Sequence, residues 1–337
     1  MTETLILTIQ EIKSLVSMKE CIHLQEDAFT TLGRNRAINA PNSWLFVEKH
    51  HGHTKIMGCF IDAGKEDHMA VKAISGFPGN PSEYGVPTVL GFLTLLDPRT
   101  GLPICFMDSA YITALRTGAG GGLATKLLAR KDSRRIGIIG TGNTAGYTLR
   151  AILEIVEGIR EGRVYSRNSE RREAFSARMR QDYGIGLTPA ASAREAVDGA
   201  DIIITGTTSS IPVLLDEWIR PGVHINAMGI RTEVDPRILA RSKVIGDSLQ
   251  TAVNDGKAYA AIQAKAITPQ QVYGDLGDLL CGRKAGRVSE DEVTFFDSSG
   301  VAAQDVVVAA YVYEKAKERG LGTSVDVFRG VEELMNP

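Results

Sequence analysis

The sequence predicts an α/β fold, a doubly wound parallel sheet inserted in a second, α+β domain. Three observations predict it. Strand-like and helix-like segments alternate after Asp108, which implies a parallel sheet covered by helices on both faces. Before Asp108, strand-like runs follow one another across turn signals, the pattern of an antiparallel or mixed sheet. The run Arg134-Arg135-Ile136-Gly137-Ile138-Ile139-Gly140-Thr141-Gly142-Asn143-Thr144-Ala145 joins an apolar strand to a helix through a glycine turn, the signature of a Rossmann-type dinucleotide site. A length of 337 residues is enough for two domains with a core each. Their expected limits are 118–304 for the Rossmann-type domain and 1–117 plus 305–337 for the other.

Leu5–Leu7 reads as the first strand. Thr8-x-x-Glu11 and Ser17-x-x-Glu20 read as capping boxes, the second opening a helix to about Leu32. Strand-like runs follow at Ser43–Glu48, Thr54–Asp62, Met69–Ser75, Thr88–Leu96 and Leu102–Met107, and the last two pair as a hairpin. The turn signals between them are His50–His53, Phe77–Pro81 and Asp97–Gly101. A helix carrying Arg116 then gives way to the Gly/Ala-rich Thr117–Leu128.

Strand Arg135–Ile139 enters the glycine turn, and the next helix runs from Asn143 to about Glu157. Gly140 permits the tight turn, and Gly142 lets a pyrophosphate approach the backbone. Ala145 lets the helix pack closely on the strand, while the helix N-terminus offers unpaired N–H groups to the anion. Gly140, Thr141, Gly142, Asn143, Thr144 and Ala145 are therefore expected cofactor-binding residues. Strands Arg163–Ser166, Asp201–Thr205, Gly222–Ala227, Lys243–Gly246 and Val293–Phe296 continue the sheet, with helices at Ser169–Tyr183 and Pro236–Arg241. A glycine loop, 297–300, leads into a closing helix of about Val301–Glu318.

An NAD-selective site places Asp or Glu at the end of the second strand, about 20 residues on, to bind the ribose 2′-hydroxyl. Here that strand ends in Ser166-Arg167-Asn168, without a carboxylate. Arg167 can form charge-assisted hydrogen bonds to a 2′-phosphate. The expected cofactor is NADP(H), with Ser166, Arg167 and Asn168 as its phosphate pocket and NAD(H) as the alternative.

Bulk properties exclude other classes. Hydrophobic content of 43%, charged content of 23% and a formal charge of −2 describe an ordinary globule with no electrostatic reason to bind nucleic acid or an acidic membrane. No apolar run approaches the roughly 20 residues of a membrane span, and the N-terminus lacks a signal-peptide layout, so a cytoplasmic protein is expected. Cys21, Cys59, Cys105 and Cys281 are far apart and read as reduced thiols. His50, His51 and His53 read as an exposed turn, and no metal site is expected. His224 reads as a packed histidine. Asp297 reads as capping the final helix or fixing its loop.

Two cations stand out. Lys72 lies among small and β-branched residues of a strand, where burying an ammonium without a partner is costly. Arg116 follows an apolar helical turn and could grip a carboxylate bidentately. From periodicity alone each is an even choice between a functional cation and a structural ion pair.

Lys72 with Pro78-Gly79-Asn80, then Ala114-Leu115-Arg116-Thr117-Gly118-Ala119, the Gly140 turn, Ile225-Asn226-Ala227-Met228-Gly229 and Phe296-Asp297-Ser298-Ser299-Gly300-Val301-Ala302-Ala303-Gln304-Asp305 together resemble the ornithine cyclodeaminase/μ-crystallin family. Glu3-Thr4-Leu5-Ile6-Leu7-Thr8, Ser17-Met18 and Ala129-Arg130-Lys131 are most like its archaeal alanine dehydrogenase branch. The resemblance implies a homodimer with a Rossmann domain and a substrate/dimerisation domain, acting on a small amino or imino acid. It implies that Lys72 and Arg116 are catalytic and bind substrate, Arg116 through the carboxylate. It places Gly300 and Val301 beside the substrate and nicotinamide, and Thr205, Gly206, Thr207 and Met228 beside the cofactor.

Two departures matter. Cyclodeaminases carry an aspartate and a Gly-Lys loop after Asn-Ala-x-Gly, where this chain runs Gly229-Ile230-Arg231-Thr232-Glu233-Val234-Asp235. Members often place a basic residue near positions held here by Asn42 and Ser43, and Arg231 is a candidate replacement. The expected activity is NAD(P)H-dependent reduction of a small α-imino acid, such as Δ1-pyrroline-2-carboxylate, Δ1-piperideine-2-carboxylate or iminopyruvate, by hydride transfer to C2. The alternatives are an ornithine or lysine cyclodeaminase with recycled NAD, and a non-catalytic, NADPH-dependent small-molecule binder of μ-crystallin type.

Overall fold

A computed structural model describes residues 3–64 and 66–329. Two compact units emerge, one from Met1–Glu20, Arg34–Thr113 and Ala302–Pro337, the other from Cys21–Gly33 and Ala114–Val301. The joins lie a few residues from the expected 117/118 and 304/305, and Cys21–Gly33 belongs to the second unit. The limits at 1 and 337 lie outside the described residues.

Strand β1 (Thr4–Leu7) is followed by helices α1 (Ile9–Leu15) and α2 (Met18–Gly33). Both helices start at reciprocal caps. The Thr8 N–H donates to Glu11 Oε2 at 2.8 Å while Thr8 Oγ1 accepts from the Glu11 N–H. Ser17 and Glu20 repeat the exchange at 2.8 and 3.2 Å. Next come β2 (Ala37–Asn39), β3 (Ser43–Val47), β4 (Gly52–Ile61), β5 (His68–Gly76), the short α3 (Asn80–Glu83), β6 (Val89–Leu96) and β7 (Pro103–Asp108).

Helix α4 (Ala110–Leu128) continues through the glycine-rich stretch without a break. A Cβ on Gly118 would lie 2.7 Å from the Tyr147 Cβ, and one on Gly122 2.7 Å from the Ala151 Cβ. The glycines therefore allow close helix packing, which offsets their poor helix propensity. The remaining elements alternate: β8 (Arg135–Ile139), α5 (Asn143–Ile155), β9 (Glu161–Tyr165), α6 (Ser169–Tyr183), β10 (Gly186–Pro189), α7 (Ala193–Val197), β11 (Ile202–Thr205), β12 (His224–Ala227), α8 (Pro236–Ala240) and β13 (Lys243–Gly246). The chain continues through α9 (Leu249–Asp255), α10 (Lys257–Gln263), β14 (Val272–Asp275), α11 (Leu276–Leu280), β15 (Thr294–Asp297), α12 (Ala302–Arg319) and β16 (Thr323–Val325).

In the first unit the strand order is β16-β1-β7-β6-β5-β4-β2, with β3 also on β4. Among the described residues only the β1–β7 pairing is parallel. Strands β6 and β7 form the expected hairpin. Helix α12 packs on β4 and β5, over the face that buries Met57, Cys59, Ala70, Leu93 and Met107. The opposite face leaves Ile56, Val71, Phe92 and Phe106 exposed.

The second unit holds eight strands in the order β10-β9-β8-β11-β12-β15-β13-β14, paired in parallel throughout. Ile202 and Ile204 enter one apolar core with Leu123, Leu149 and Ile152. Ile203, between them, enters the other with Val197, Leu214 and Leu239. Such two-sided burial is why these strands read as unbroken apolar runs. Strand β8 lies between β9 and β11, so the order reverses there, and the carboxyl ends of β8 and β11 frame the switch-point crevice. No described helix is long and apolar enough to cross a membrane.

Candidate active site

Gly140, at the end of β8, has φ +110°, a backbone that a side chain would strain, and its N–H donates to the Tyr165 carbonyl at 2.9 Å. Gly142 is the N-cap of α5, which has no side-chain cap. A Cβ on Gly142 would meet no protein atom within 4 Å. Asn143 is exposed and Thr141 and Thr144 are half-buried, whereas Ala145 is fully buried in the core with Ile138 and Ile204. An open glycine over uncapped helix N–H groups fits a pyrophosphate. The cradle therefore suits a dinucleotide.

At the end of β9 the three expected phosphate ligands differ. Asn168 caps α6, its Oδ1 accepting the Arg171 N–H at 2.8 Å, so this oxygen serves the helix. Ser166 Oγ donates to the Asn168 carbonyl at 2.9 Å, and Arg172 donates to the Ser166 carbonyl at 3.0 Å. Arg167 is exposed.

The ends of β11 and β12 are tied by a residue the sequence reading did not select. Glu233, with no exposed surface, accepts Thr205 Oγ1–H at 2.7 Å and the Gly229 N–H at 2.7 Å through Oε1. Its Oε2 accepts the Thr207 N–H at 2.8 Å and Thr207 Oγ1–H at 2.9 Å. Gly206 N–H donates to the Ile139 carbonyl, and Met228 N–H to the Thr205 carbonyl. The Met228 side chain packs in the core. A carboxylate four residues after the glycine of the Asn-Ala-Met-Gly segment was the available signal.

Arg116, on α4, is 5% exposed. Gly300 has φ +81°, and a Cβ there would come within 3.0 Å of two Arg116 guanidinium nitrogens. Asp247, at the end of β13, accepts the Ser299 N–H at 2.8 Å and also the Gly300 N–H. The Gly300 N–H is thus engaged by Asp247. Val301 packs its side chain in the core. Burial pushes the Asp247 carboxyl up to about 6; the Gly300 N–H opposes this, the Asp297 charge adds to it, and the Ser299 N–H and Arg116 draw it back. Asp297 accepts the Ala258 N–H at 2.8 Å and lies 3.7 Å from Lys257 Nζ. It therefore anchors α10 and, by accepting Ser299 Oγ–H at 3.4 Å, helps to fix the glycine loop, rather than capping the closing helix.

In the first unit, Lys72 Nζ donates to Asp305 Oδ1 at 2.8 Å, with side chains 2% and 1% exposed. Asp305 lies in the first turn of α12, where the helix dipole favours a negative charge, and the Ala303 N–H is held by Asn39 Oδ1 at 3.1 Å. Lys55 shares the face of Lys72, because Met57 opposes Lys72 and Lys55 opposes Ile74. Its ammonium lies 5.0 Å from the Trp44 ring centroid. Arg231, the candidate second cation, is half-exposed, 3.8 Å from Asp255 and over the Tyr259 ring.

His50 lies in a one-turn helix and His51 is left-handed, completing the β3–β4 turn. His53 instead sits on β4, its ring 5.2 Å from Trp44. His224 is fully buried and bonded to Thr294 at 3.0 Å. Burial, then the Arg287 charge, pulls it down to about 3. Among the described residues no cluster of three His, Cys, Asp or Glu side chains could hold a metal ion.

Residues 2–320 match the model of the Ornithine cyclodeaminase/mu-crystallin family. The chain belongs to this family. It is 36% identical over 331 residues to the alanine dehydrogenase of Archaeoglobus fulgidus, covering 97% of this chain and 99% of that protein. The structure of Thermococcus litoralis Δ1-pyrroline-2-carboxylate reductase in complex with NADH and L-proline superposes with a TM-score of 0.91 at 37% identity, over 96% of this chain and 100% of that one. An archaeal alanine dehydrogenase dimer with bound NAD gives 0.90 at 37% identity, over 97% and 100%. Family membership agrees with the resemblance drawn from the Lys72, Arg116, Gly140 and Asp297–Asp305 segments.

Proposed function

We propose that this chain is an NAD(P)H-dependent reductase of a small α-imino acid, of the Δ1-pyrroline-2-carboxylate or alanine dehydrogenase type. The observation that carries the reading is the full-length match, at TM-score 0.91 and 37% identity, to a reductase whose structure holds NADH and L-proline. When bound, the reduced nicotinamide supplies the hydride that adds to C2 of the C=N bond. Arg116 holds the substrate carboxylate, and Gly300, which has no side chain to displace the guanidinium, keeps it in place. Lys72, oriented by Asp305, hydrogen-bonds the substrate and assists protonation at nitrogen, directly or through water. Fixed cations set the approach geometry, where most of the protein's contribution lies.

NADP(H) is the preferred coenzyme in this reading, supported by the exposed Arg167 and by the missing carboxylate after β9. The chain acts as a homodimer, supported by the exposed apolar sheet face, where Phe92 stacks on Phe106 at 5.2 Å, and by the dimeric relative. Phe106→Glu should convert a dimer to a monomer in sedimentation equilibrium; an unchanged mass removes this face from the interface.

The deciding experiment follows oxidation of NADPH and NADH by absorbance across a panel of cyclic imines, and of 2-oxo acids with ammonia. Turnover of at least one member is expected. Ammonia release from ornithine without net coenzyme change would identify a cyclodeaminase. Tight NADPH binding with no turnover would identify a non-catalytic binder.

A further inference from the structure

We propose that Glu233 is a positioning residue for the nicotinamide half of the dinucleotide, and that its buried charge makes the site favour the oxidised coenzyme. The inference rests on the dinucleotide-binding part of the proposed function. The strand order reverses between β8 and β11, so the coenzyme straddles that crevice. Its adenosine ribose belongs at the end of β9, which leaves the β11–β12 side for the nicotinamide. The wall on that side is Thr205–Thr207, backed by Met228–Gly229.

Glu233 is what fixes this wall. One carboxylate receives two hydroxyls and two backbone N–H groups from both loops, at 2.7 to 2.9 Å. Gly229 is small enough to admit it, since a Cβ there would run into both the Glu233 carboxylate and the Thr207 backbone. Acceptor geometry also explains why a carboxylate stands here. All four bonds need an acceptor, and a glutamine would turn one NH2 toward Thr205 and Gly229 or toward Thr207. Every described donor to Glu233 is neutral. The negative charge is therefore delocalised over dipoles rather than cancelled by a cation, and it acts through a poorly screened interior. The oxidised nicotinamide ring carries a positive charge that the reduced ring lacks. The wall should discriminate between them.

The test compares dissociation constants of oxidised and reduced dinucleotide, by calorimetry, for the wild-type chain and Glu233→Gln. The variant is expected to lose affinity for the oxidised form at least about fivefold more than for the reduced form. A ratio unchanged within about twofold overturns the proposal, including when both constants rise together, because a merely structural role moves both alike. Should Glu233→Gln fail to fold, Thr205→Val removes one donor while keeping the charge. Its oxidised-to-reduced preference should then rise, and an unchanged or lowered preference overturns the proposal. A wild-type chain that binds both forms yet reduces no imino acid would sink the proposed reaction and leave this comparison intact. One that binds neither form overturns both.

Discussion

Lys72 Nζ lies 2.8 Å from Asp305 Oδ1, and the two residues are 1% exposed each although 233 positions separate them in the chain. Two charges taken from water repay their desolvation only when paired and hydrogen-bonded, so removing one partner leaves an uncompensated ion. Asp305→Ala should cost about 3–5 kcal/mol in urea unfolding. The double variant Lys72→Met/Asp305→Leu should recover most of that loss while remaining inactive. If the double variant is as unstable as the single, the pair is not the source of the cost.

For Arg167 the expectation concerns selectivity. An exposed guanidinium at the end of β9 can meet a 2′-phosphate, and an aspartate there would repel it. Arg167→Asp should raise KM for NADPH by about tenfold or more and change KM for NADH far less. Equal changes for both coenzymes would remove Arg167 from the phosphate pocket.

Asp247 gives the chain a pH dependence of defined sign. Its carboxyl sits near 6 in the folded protein against an ordinary 3.8. Between those values the native state binds more protons than the unfolded chain, so this group's contribution is full below about 3.8 and is lost as pH rises through about 6. From pH ~4.5 to ~7.5 the loss is about 2 kcal/mol. Asp247→Asn should lack that decline, so its stability relative to wild type should rise across the same interval. Parallel profiles in urea unfolding would show that Asp247 does not titrate there.

Much of this architecture was legible from periodicity. Strands 135–139 and 243–246 and helix 169–183 lie where the apolar pattern and caps place them. Short elements such as β2, β10, β14 and β16 have only three or four residues and no strong apolar run, and are held by their neighbours. The glycines of α4 looked like an interruption because helix propensity is local, whereas their reason is α5 packed against them. The partners of Asp305 and Glu233 were hidden for a related cause. A buried polar residue has no periodic signature, and its partners lie 233 and 28 positions away.

Gly140 and Gly142 are two residues apart in one turn, yet they separate the needs of the fold from those of the ligand. Gly140 has φ +110°, and a Cβ there would strike the Gly206 backbone, so Gly140→Ala should cost stability by about 1–3 kcal/mol. Gly142 has φ −81° and ψ 175°, a conformation open to any residue, with nothing within 4 Å of an added Cβ. Gly142→Ala should therefore fold as well as wild type, or melt slightly higher because its unfolded chain is less free. The methyl would nevertheless project over the N-terminus of α5, where the pyrophosphate approaches the backbone. Dinucleotide dissociation constants should rise about tenfold or more with no loss in melting temperature. Gly142→Val should enlarge the effect, since a bulkier group takes more of the same space. Undiminished dinucleotide binding by both variants would mean that the coenzyme does not lie on this turn.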